Sequence, residues 1–223
     1  MNQLMTAVIP LSLGAAVSPT LLTAIVLVLS ASEAPRARAW VAVAGGAVAM
    51  LALTIAAPLV AKAMRSVKPS VVDRSDVILG VLLLLLAGWT LFRKRDASES
   101  AKKHAPTGTA SAKPRLAEYF GFGVVLIATD FSSTVLYLAA LKEIAGAHLP
   151  SPETLAVLAI PFFAVLAPAV IPAALSTVAP HQSDRALKPL SAWMGRHTKV
   201  ITVAISVVFG VYLLARGLPP LLR

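Results

Sequence analysis

Asp130 is the residue with the clearest capacity for chemistry, because it stands alone inside a long apolar stretch. The nearest charged residues are Glu118, twelve positions earlier, and Lys142, twelve positions later. A charge near the middle of a bilayer costs about 2.5–3.5 kcal/mol on insertion scales, so such a residue usually faces protein or water and marks a functional site. Burial also favours the protonated form of a carboxyl group. We therefore predict that Asp130 binds and releases a proton and so couples proton movement to transport.

Polar residues cluster around this carboxylate. Ser133, Thr134 and Tyr137 follow at i+3, i+4 and i+7, which would place them on the same helical face as Asp130, and Thr129 precedes it. We predict that Thr129, Ser133, Thr134 and Tyr137 help to bind a substrate. The alternative is that Asp130 is a hydrogen-bonded packing residue that holds helices together.

A second polar interruption, Ser18-Pro19-Thr20, lies in the first apolar stretch. Pro19 cannot donate a backbone hydrogen bond and clashes with the carbonyl group four residues earlier, so the helix should kink near Ser18. Broken backbone at membrane depth is tolerated where protein or water satisfies it, and in transporters such breaks gather at the substrate site. We predict that Ser18, Pro19 and Thr20 line the site with Asp130. The alternative is an ordinary proline kink.

The composition is that of an integral membrane protein, since 57% of the 223 residues are hydrophobic and only 13% are charged. Without cysteine, the chain has neither disulfides nor thiolate metal sites. About 20 apolar residues are needed to cross the hydrocarbon core. We therefore predict an all-α protein with six transmembrane helices, near residues 4–29, 39–61, 76–92, 118–141, 153–177 and 199–217.

The basic residues predict the orientation of these helices. Thirteen of the 20 Lys and Arg residues lie in the connections after the first, third and fifth apolar stretches. The positive-inside rule then places both termini outside the plasma membrane and the central connection in the cytoplasm. This distribution also accounts for the net charge of +10, and we predict no nucleic-acid partner.

The chain divides into two similar halves. Residues 1–93 and 118–223 each contain three apolar stretches, and residues 94–117 form a predicted flexible, basic cytoplasmic linker rich in Ala, Ser, Lys, Thr, Gly and Pro. Residues 77–84 (VILGVLLL) align with residues 207–214 (VVFGVYLL). Because three spans reverse the orientation of the second half, we predict two inverted three-helix repeats.

Signals for catalysis are absent from the sequence. The histidines lie in predicted connections or at the ends of apolar stretches and show no metal-binding spacing; they are His104, His148, His181 and His197. An intramembrane nucleophile would also lack a base. We predict no enzymatic activity, no cofactor and no metal. Small residues of the second stretch, including Gly45 and Gly46, are compatible with close helix contact and a homodimer.

Three segments together resemble a known family. They are residues 9–19 (IPLSLGAAVSP), 36–40 (RARAW) and 210–218 (GVYLLARGL), and the long basic centre separates the last two. The sequence resembles the sulfolipid- or glycopeptidolipid-addressing proteins of actinobacteria, within the lysine-exporter superfamily. Residues 178–182 depart from it, because they lack a more charged helix start.

The resemblance implies a six-span inner-membrane transporter that moves a cell-envelope glycolipid, with Asp130 and the region of Ser18 and Pro19 as its site. Two alternatives remain open. One is a small-solute exporter for amino acids or cations within the same superfamily. The other is a non-transporting assembly factor that presents the central linker to an enzyme of glycolipid synthesis.

Overall fold

A computed structural model describes residues 2–30, 34–67, 75–92, 116–147 and 150–218, and within these ranges the fold is all-α, as predicted. The predicted linker, 94–117, lies outside the described residues except for Leu116 and Ala117, which begin a helix. The helices are α1 (Asn2–Ala16), α2 (Pro19–Leu29), α3 (Pro35–Val67), α4 (Ser75–Phe92), α5 (Leu116–Thr129), α6 (Phe131–Gly146), α7 (Ser151–Val178) and α8 (Pro180–Gly217).

The described helices make this a multi-pass membrane protein. Three of them contain apolar segments long enough to cross a bilayer, and two further candidates are bent pairs, α1 with α2 and α5 with α6. The apolar part of α4, Val77–Phe92, is shorter, and 16 residues rise only about 24 Å against a hydrocarbon core of about 30 Å. The described residues thus contain three to five candidate spans by length and composition, with α4 as a shorter apolar helix.

The first span is broken where the sequence predicts a kink. The axes of α1 and α2 differ by 44°. Pro19 is the first residue of α2, and Ser18 before it has extended backbone angles of φ −116° and ψ 100°. The Ser18 hydroxyl accepts a hydrogen bond of 3.1 Å from the backbone N–H of Leu21, which satisfies one of the amide groups that a helix start leaves unpaired.

The fourth span is broken as well, and here the expected continuous helix is wrong. Asp130 has backbone angles of φ −86° and ψ 69°, and α5 and α6 differ in direction by 73°. No proline is present, but aspartate is a preferred residue type just before a helix start. The Thr134 hydroxyl donates to the carbonyl oxygen of Ile127 across the break at 3.3 Å. This bond adds a second donor to a carbonyl group that also accepts from the backbone N–H of Asp130 at 3.2 Å, and so ties the start of α6 to the end of α5.

The extent of helix α8 also differs from the sequence-based expectation. Helix α8 begins at Pro180, well before residue 199, where the sixth apolar stretch was expected to begin. Its first turns carry the basic residues that were assigned to a connection. Helix α7 remains one helix from Ser151 to Val178 although Pro161, Pro168 and Pro172 lie inside it.

Glycines set the spacing between the paired helices α3 and α5. A Cβ atom at Gly123 of α5 would collide with the carbonyl group of Ala42, and one at Gly45 of α3 would collide with the backbone of Phe120. Close approach of membrane helices at small residues gains van der Waals contact. The small-residue face that was expected to be compatible with a dimer is therefore covered by α5 of the same chain.

Glycines also pair α4 with α8. A Cβ atom at Gly80 would lie 2.9 Å from the carbonyl oxygen of Gly210, and one at Gly210 would lie 3.2 Å from the carbonyl oxygen of Gly80. These two glycines occupy aligned positions of the two sequence halves. At these two positions the backbones of α4 and α8 approach so closely that a side chain would crowd the facing helix.

We predict that Gly123→Ala destabilises the protein, whereas Gly121→Ala does not. The first change forces α3 and α5 apart, and overpacking of this kind costs about 1–3 kcal/mol. Position 121 lies on the same helix, and an added Cβ there would meet nothing within 4 Å. Thermal unfolding of the two variants in detergent, followed by circular dichroism, measures the difference. Equal melting temperatures would contradict the close contact.

Candidate functional site

The two breaks meet inside the bundle. Ser18 and Asp130 are 2% and 7% exposed, and the side chains of Ser18 and Ser133 both lie beside the Asp130 carboxyl group. Ser132 donates a weak hydrogen bond of 3.3 Å to its Oδ1 atom. The half-helices α2 and α6 therefore begin at a common point. The first N–H groups of a helix lack intrahelical partners and carry partial positive charge, so both helix starts favour acceptor groups here.

The second oxygen of the carboxyl group is buried without a partner. Among the described residues, neither Oδ2 of Asp130 nor the hydroxyl of Ser133 has a well-aligned hydrogen-bond partner, although Ser18 and Ser133 lie close enough to the carboxyl group to interact with it. Asp130 also makes no side-chain hydrogen bond that caps α6, and among the described residues it forms no ion pair. Most buried polar groups are hydrogen-bonded, so an exception calls for a specific reason. Here the unpaired oxygen and hydroxyl can bind water, a proton or a polar substrate group.

Two further hydroxyls extend this polar region. Serine and threonine in helices commonly donate to the carbonyl group one turn earlier, as Ser12, Thr54, Thr90 and Thr198 do here. The hydroxyls of Thr23 and Ser206 are buried and do not. Both are available to a group that lies between the helices.

The positions of Thr23 and Ser206 follow from their neighbours. The ring of Phe209 on α8 lies against Gly14 of α1. Along α8, Ser206 lies one turn before Phe209. The first span runs antiparallel to α8, and in it Ser18 lies one turn after Gly14. Ser206 therefore lies at the depth of the break. Thr23 lies farther along α2 and faces Gly195 of α8. Neither residue can be predicted from the sequence, because an isolated hydroxyl in an apolar helix gives no distinguishing signal.

The structure brings together three of the eight residues predicted for the site, namely Ser18, Asp130 and Ser133. Pro19 is buried at the start of α2, and Thr20 beside it is half-buried. The position of Thr134 is structural, because its hydroxyl bridges the break.

Tyr137 and Thr129 lie apart from this group. The Tyr137 hydroxyl hydrogen-bonds to Thr54 of α3 at 2.5 Å, so its polar end points to another helix. Thr129 is exposed and donates to the carbonyl groups of Val125 and Leu126 in its own helix. Of the hydroxyl residues that were predicted to share a helical face with Asp130, Ser133 lies beside its carboxyl group, whereas Thr134 and Tyr137 bond to Ile127 and Thr54.

This arrangement is suited to binding hydroxyl groups. An ionised carboxylate only accepts hydrogen bonds, whereas the protonated form also donates one. Serine hydroxyls do both. A polyhydroxylated group could therefore replace the missing partners of Asp130 and Ser133, and a change in the protonation of Asp130 would change which groups bind. Among the described residues, no cluster of three or more His, Asp or Glu side chains could hold a metal ion.

Comparison with protein families gives one match over most of the chain. The model of the family described as Sap, sulfolipid-1-addressing protein, matches residues 8–219. No curated protein and no solved structure matches the chain.

We predict that Ser133→Ala leaves the stability unchanged or raises it, whereas Tyr137→Phe lowers it. The first change removes a buried hydroxyl that has no partner, and the second removes an interhelical hydrogen bond worth about 0.5–1.5 kcal/mol. Thermal unfolding in detergent compares the variants. An equal loss of stability in both would mean that Ser133 serves the fold and not a ligand.

Proposed function

Because this chain belongs to the sulfolipid-1-addressing protein family, we propose that it is a plasma-membrane carrier that flips or exports a cell-envelope glycolipid. The observation that carries the proposal is the buried Asp130 carboxyl group at the meeting point of two broken helices, with an oxygen that has no hydrogen-bond partner among the described residues. Glycolipid head groups supply the hydroxyls that this site lacks.

The exposed residues beside the breaks favour a lipid over a soluble substrate. Val17 and Phe131 are the sequence neighbours of Ser18 and Asp130, and they are 42% and 54% exposed. Large apolar side chains exposed at membrane depth face lipid. A head group could therefore reach Asp130 sideways from the bilayer while its acyl chains stay outside the protein. A small-solute exporter gains less support, since no charged side chain among the described residues pairs with Asp130 to form a zwitterion site.

We also propose that the chain consists of two inverted three-helix repeats and has six spans. The broken pair α1 and α2 would correspond to α5 and α6, α3 to α7, and α4 to α8. The packing supports this correspondence: α3 packs along α5 as α7 packs along α1, and α4 packs along its own counterpart α8. Gly80 and Gly210, which the repeat aligns, lie against each other. In this arrangement α4 also crosses the membrane, which brings the number of spans to six. Both termini lie outside and the central linker is cytoplasmic.

In the proposed mechanism, a proton and the head group compete for Asp130. On the cytoplasmic side the ionised carboxylate accepts hydrogen bonds from sugar hydroxyls. On the outer side a proton binds Oδ2, removes an acceptor and releases the sugar. The protonated carrier then returns and loses its proton inside. Because the carrier moves outward with the head group bound and returns with a proton bound, inward proton flow drives outward lipid movement.

We predict that Asp130→Asn abolishes the export driven by a pH gradient while Thr129→Val leaves it intact. Asparagine keeps the size of the side chain but does not exchange a proton, and Thr129 is an exposed neighbour whose hydroxyl bonds within its own helix. The assay follows a fluorescent glycolipid in proteoliposomes with and without an imposed pH gradient. If Asp130→Asn responds to the gradient as the wild type does, coupling through Asp130 is wrong.

Lipid analysis of cells tests the substrate. We predict that deletion of the gene causes one glycolipid class to accumulate inside and to disappear from the surface extract, and that wild-type and Thr129→Val copies restore it while Asp130→Asn does not. Accumulation of an amino acid or a cation with unchanged lipids would instead favour a small-solute exporter. Loss of glycolipid synthesis itself would favour an assembly factor.

A further inference from the structure

A cavity of about 180 Å³ lies at one end of the bundle, where α2 and α7 end and α3 and α8 begin. We call it the Arg36 cavity. Its polar lining includes Ser30, Arg36, Ser183 and Lys188. These residues come from three different helices or their ends, so the cavity is a product of the tertiary fold.

The electrostatics of the Arg36 cavity favour an anion. Arg36 and Lys188 supply two positive charges, and the described lining contains no carboxylate. Two helix starts add to this charge, because Pro35 and Pro180 are the first residues of α3 and α8 and both line the cavity. The N–H groups of a first turn lack intrahelical partners and attract negative groups.

The hydrogen bonds at these helix starts support the same conclusion. In α3, the first backbone N–H group that bonds to a carbonyl group four residues earlier is that of Arg38, which donates to Ala34. In α8 it is that of Ser183, which donates to Ala179. The amide groups that precede them in each helix therefore have no partner within it. Ser183 is itself only 4% exposed and forms part of the cavity wall.

Positive charge at a cytoplasmic membrane surface usually sets topology and attracts anionic lipid without forming a site. Arg185 and Arg196 fit that role, because they are exposed on the same helix and do not line the cavity. Arg36 and Lys188 are exposed as well, but they come from separate helices and line one open cavity together with two helix starts.

Helix α2 connects this cavity to the site at Asp130. Its first turn carries Ser18, and Val26 and Leu29 near its end line the cavity. Eight residues of helix separate Ser18 from Val26, a rise of about 12 Å. Thr23, with its unpaired hydroxyl, lies between them.

We propose that the Arg36 cavity binds a sulfate or phosphate ester group of the lipid head group on the cytoplasmic side, before the sugar reaches Asp130 along α2. The movement of the head group from the cavity to Asp130 rests on the proposed function, but binding of an anion in the cavity does not require transport. It names a second recognition element: hydroxyls bind at Asp130, and the anionic ester binds at Arg36 and Lys188.

Site-specific labelling tests the cavity without any transport assay. The natural chain has no cysteine, so Ser30→Cys, at an exposed position of the lining, is a single reporter in the full-length protein. Its rate of reaction with uncharged N-ethylmaleimide is measured in phosphatidylcholine proteoliposomes. The additions are inorganic sulfate, inorganic phosphate, a sulfated dialkyl glycoside or the same glycoside without sulfate, with chloride added to equal ionic strength.

We predict that the sulfated glycoside slows labelling and the uncharged glycoside does not. Arg36→Gln in the reporter background should weaken this protection about tenfold, as expected for loss of a charged hydrogen-bond donor, and Lys188→Gln should weaken it too. Arg185→Gln should keep full protection. Equal protection by inorganic sulfate would support the site with the anion alone as the ligand, and protection by the glycoside alone would support a lipid source.

Two results would overturn the inference: no protection by any anionic addition, or equal protection in the Arg36→Gln and wild-type backgrounds. Neither would affect the proposed function, because Asp130→Asn tests that function through glycolipid transport and not through labelling at the cavity. Conversely, protection at the reporter in a protein that moves no lipid would leave the anion site in place and refute transport.

Discussion

A helix that breaks inside a membrane exposes backbone N–H and C=O groups that lipid cannot hydrogen-bond. The organisation of this protein follows from how two such breaks are satisfied. The Ser18 hydroxyl accepts from the Leu21 amide, and the Thr134 hydroxyl donates to the Ile127 carbonyl group. Both breaks are turned inward and meet at Asp130, so the polar groups that remain are held in one place inside the bundle.

The surrounding helices can enclose this point because glycine lets them approach closely. Gly45 and Gly123 bring α3 against α5, and Gly80 and Gly210 bring α4 against α8. Without water between helices, such contact is the main gain on association in a membrane. The half-helices α2 and α6 do not belong to these pairs. Their first turns meet at the Asp130 carboxyl group.

The hydroxyl groups of the protein fall into two sets with different roles. Those of Ser12, Thr90 and Thr198 donate to the carbonyl group one turn earlier and are satisfied. Those of Thr23, Ser133 and Ser206 are buried without a partner and lie on the helices that surround Asp130. The hydroxyls without partners and the Arg36 cavity lie toward opposite ends of α2, which is the arrangement that the proposed binding of hydroxyls and an anionic ester requires.

The sequence by itself determined the membrane class and the family and singled out Asp130 as a candidate, because hydrophobic length and an isolated charge are local signals. It also located the break at Ser18, since Pro19 removes a donor wherever it occurs in a helix. It did not reveal the break at Asp130, the bond between Tyr137 and Thr54 or the cavity at Arg36. The full helical extent of α8 was missed as well, because its basic first turns resemble a connection. Each of these features depends on groups that are distant in sequence, and only the tertiary structure decided which polar groups found partners and which were left to bind something else.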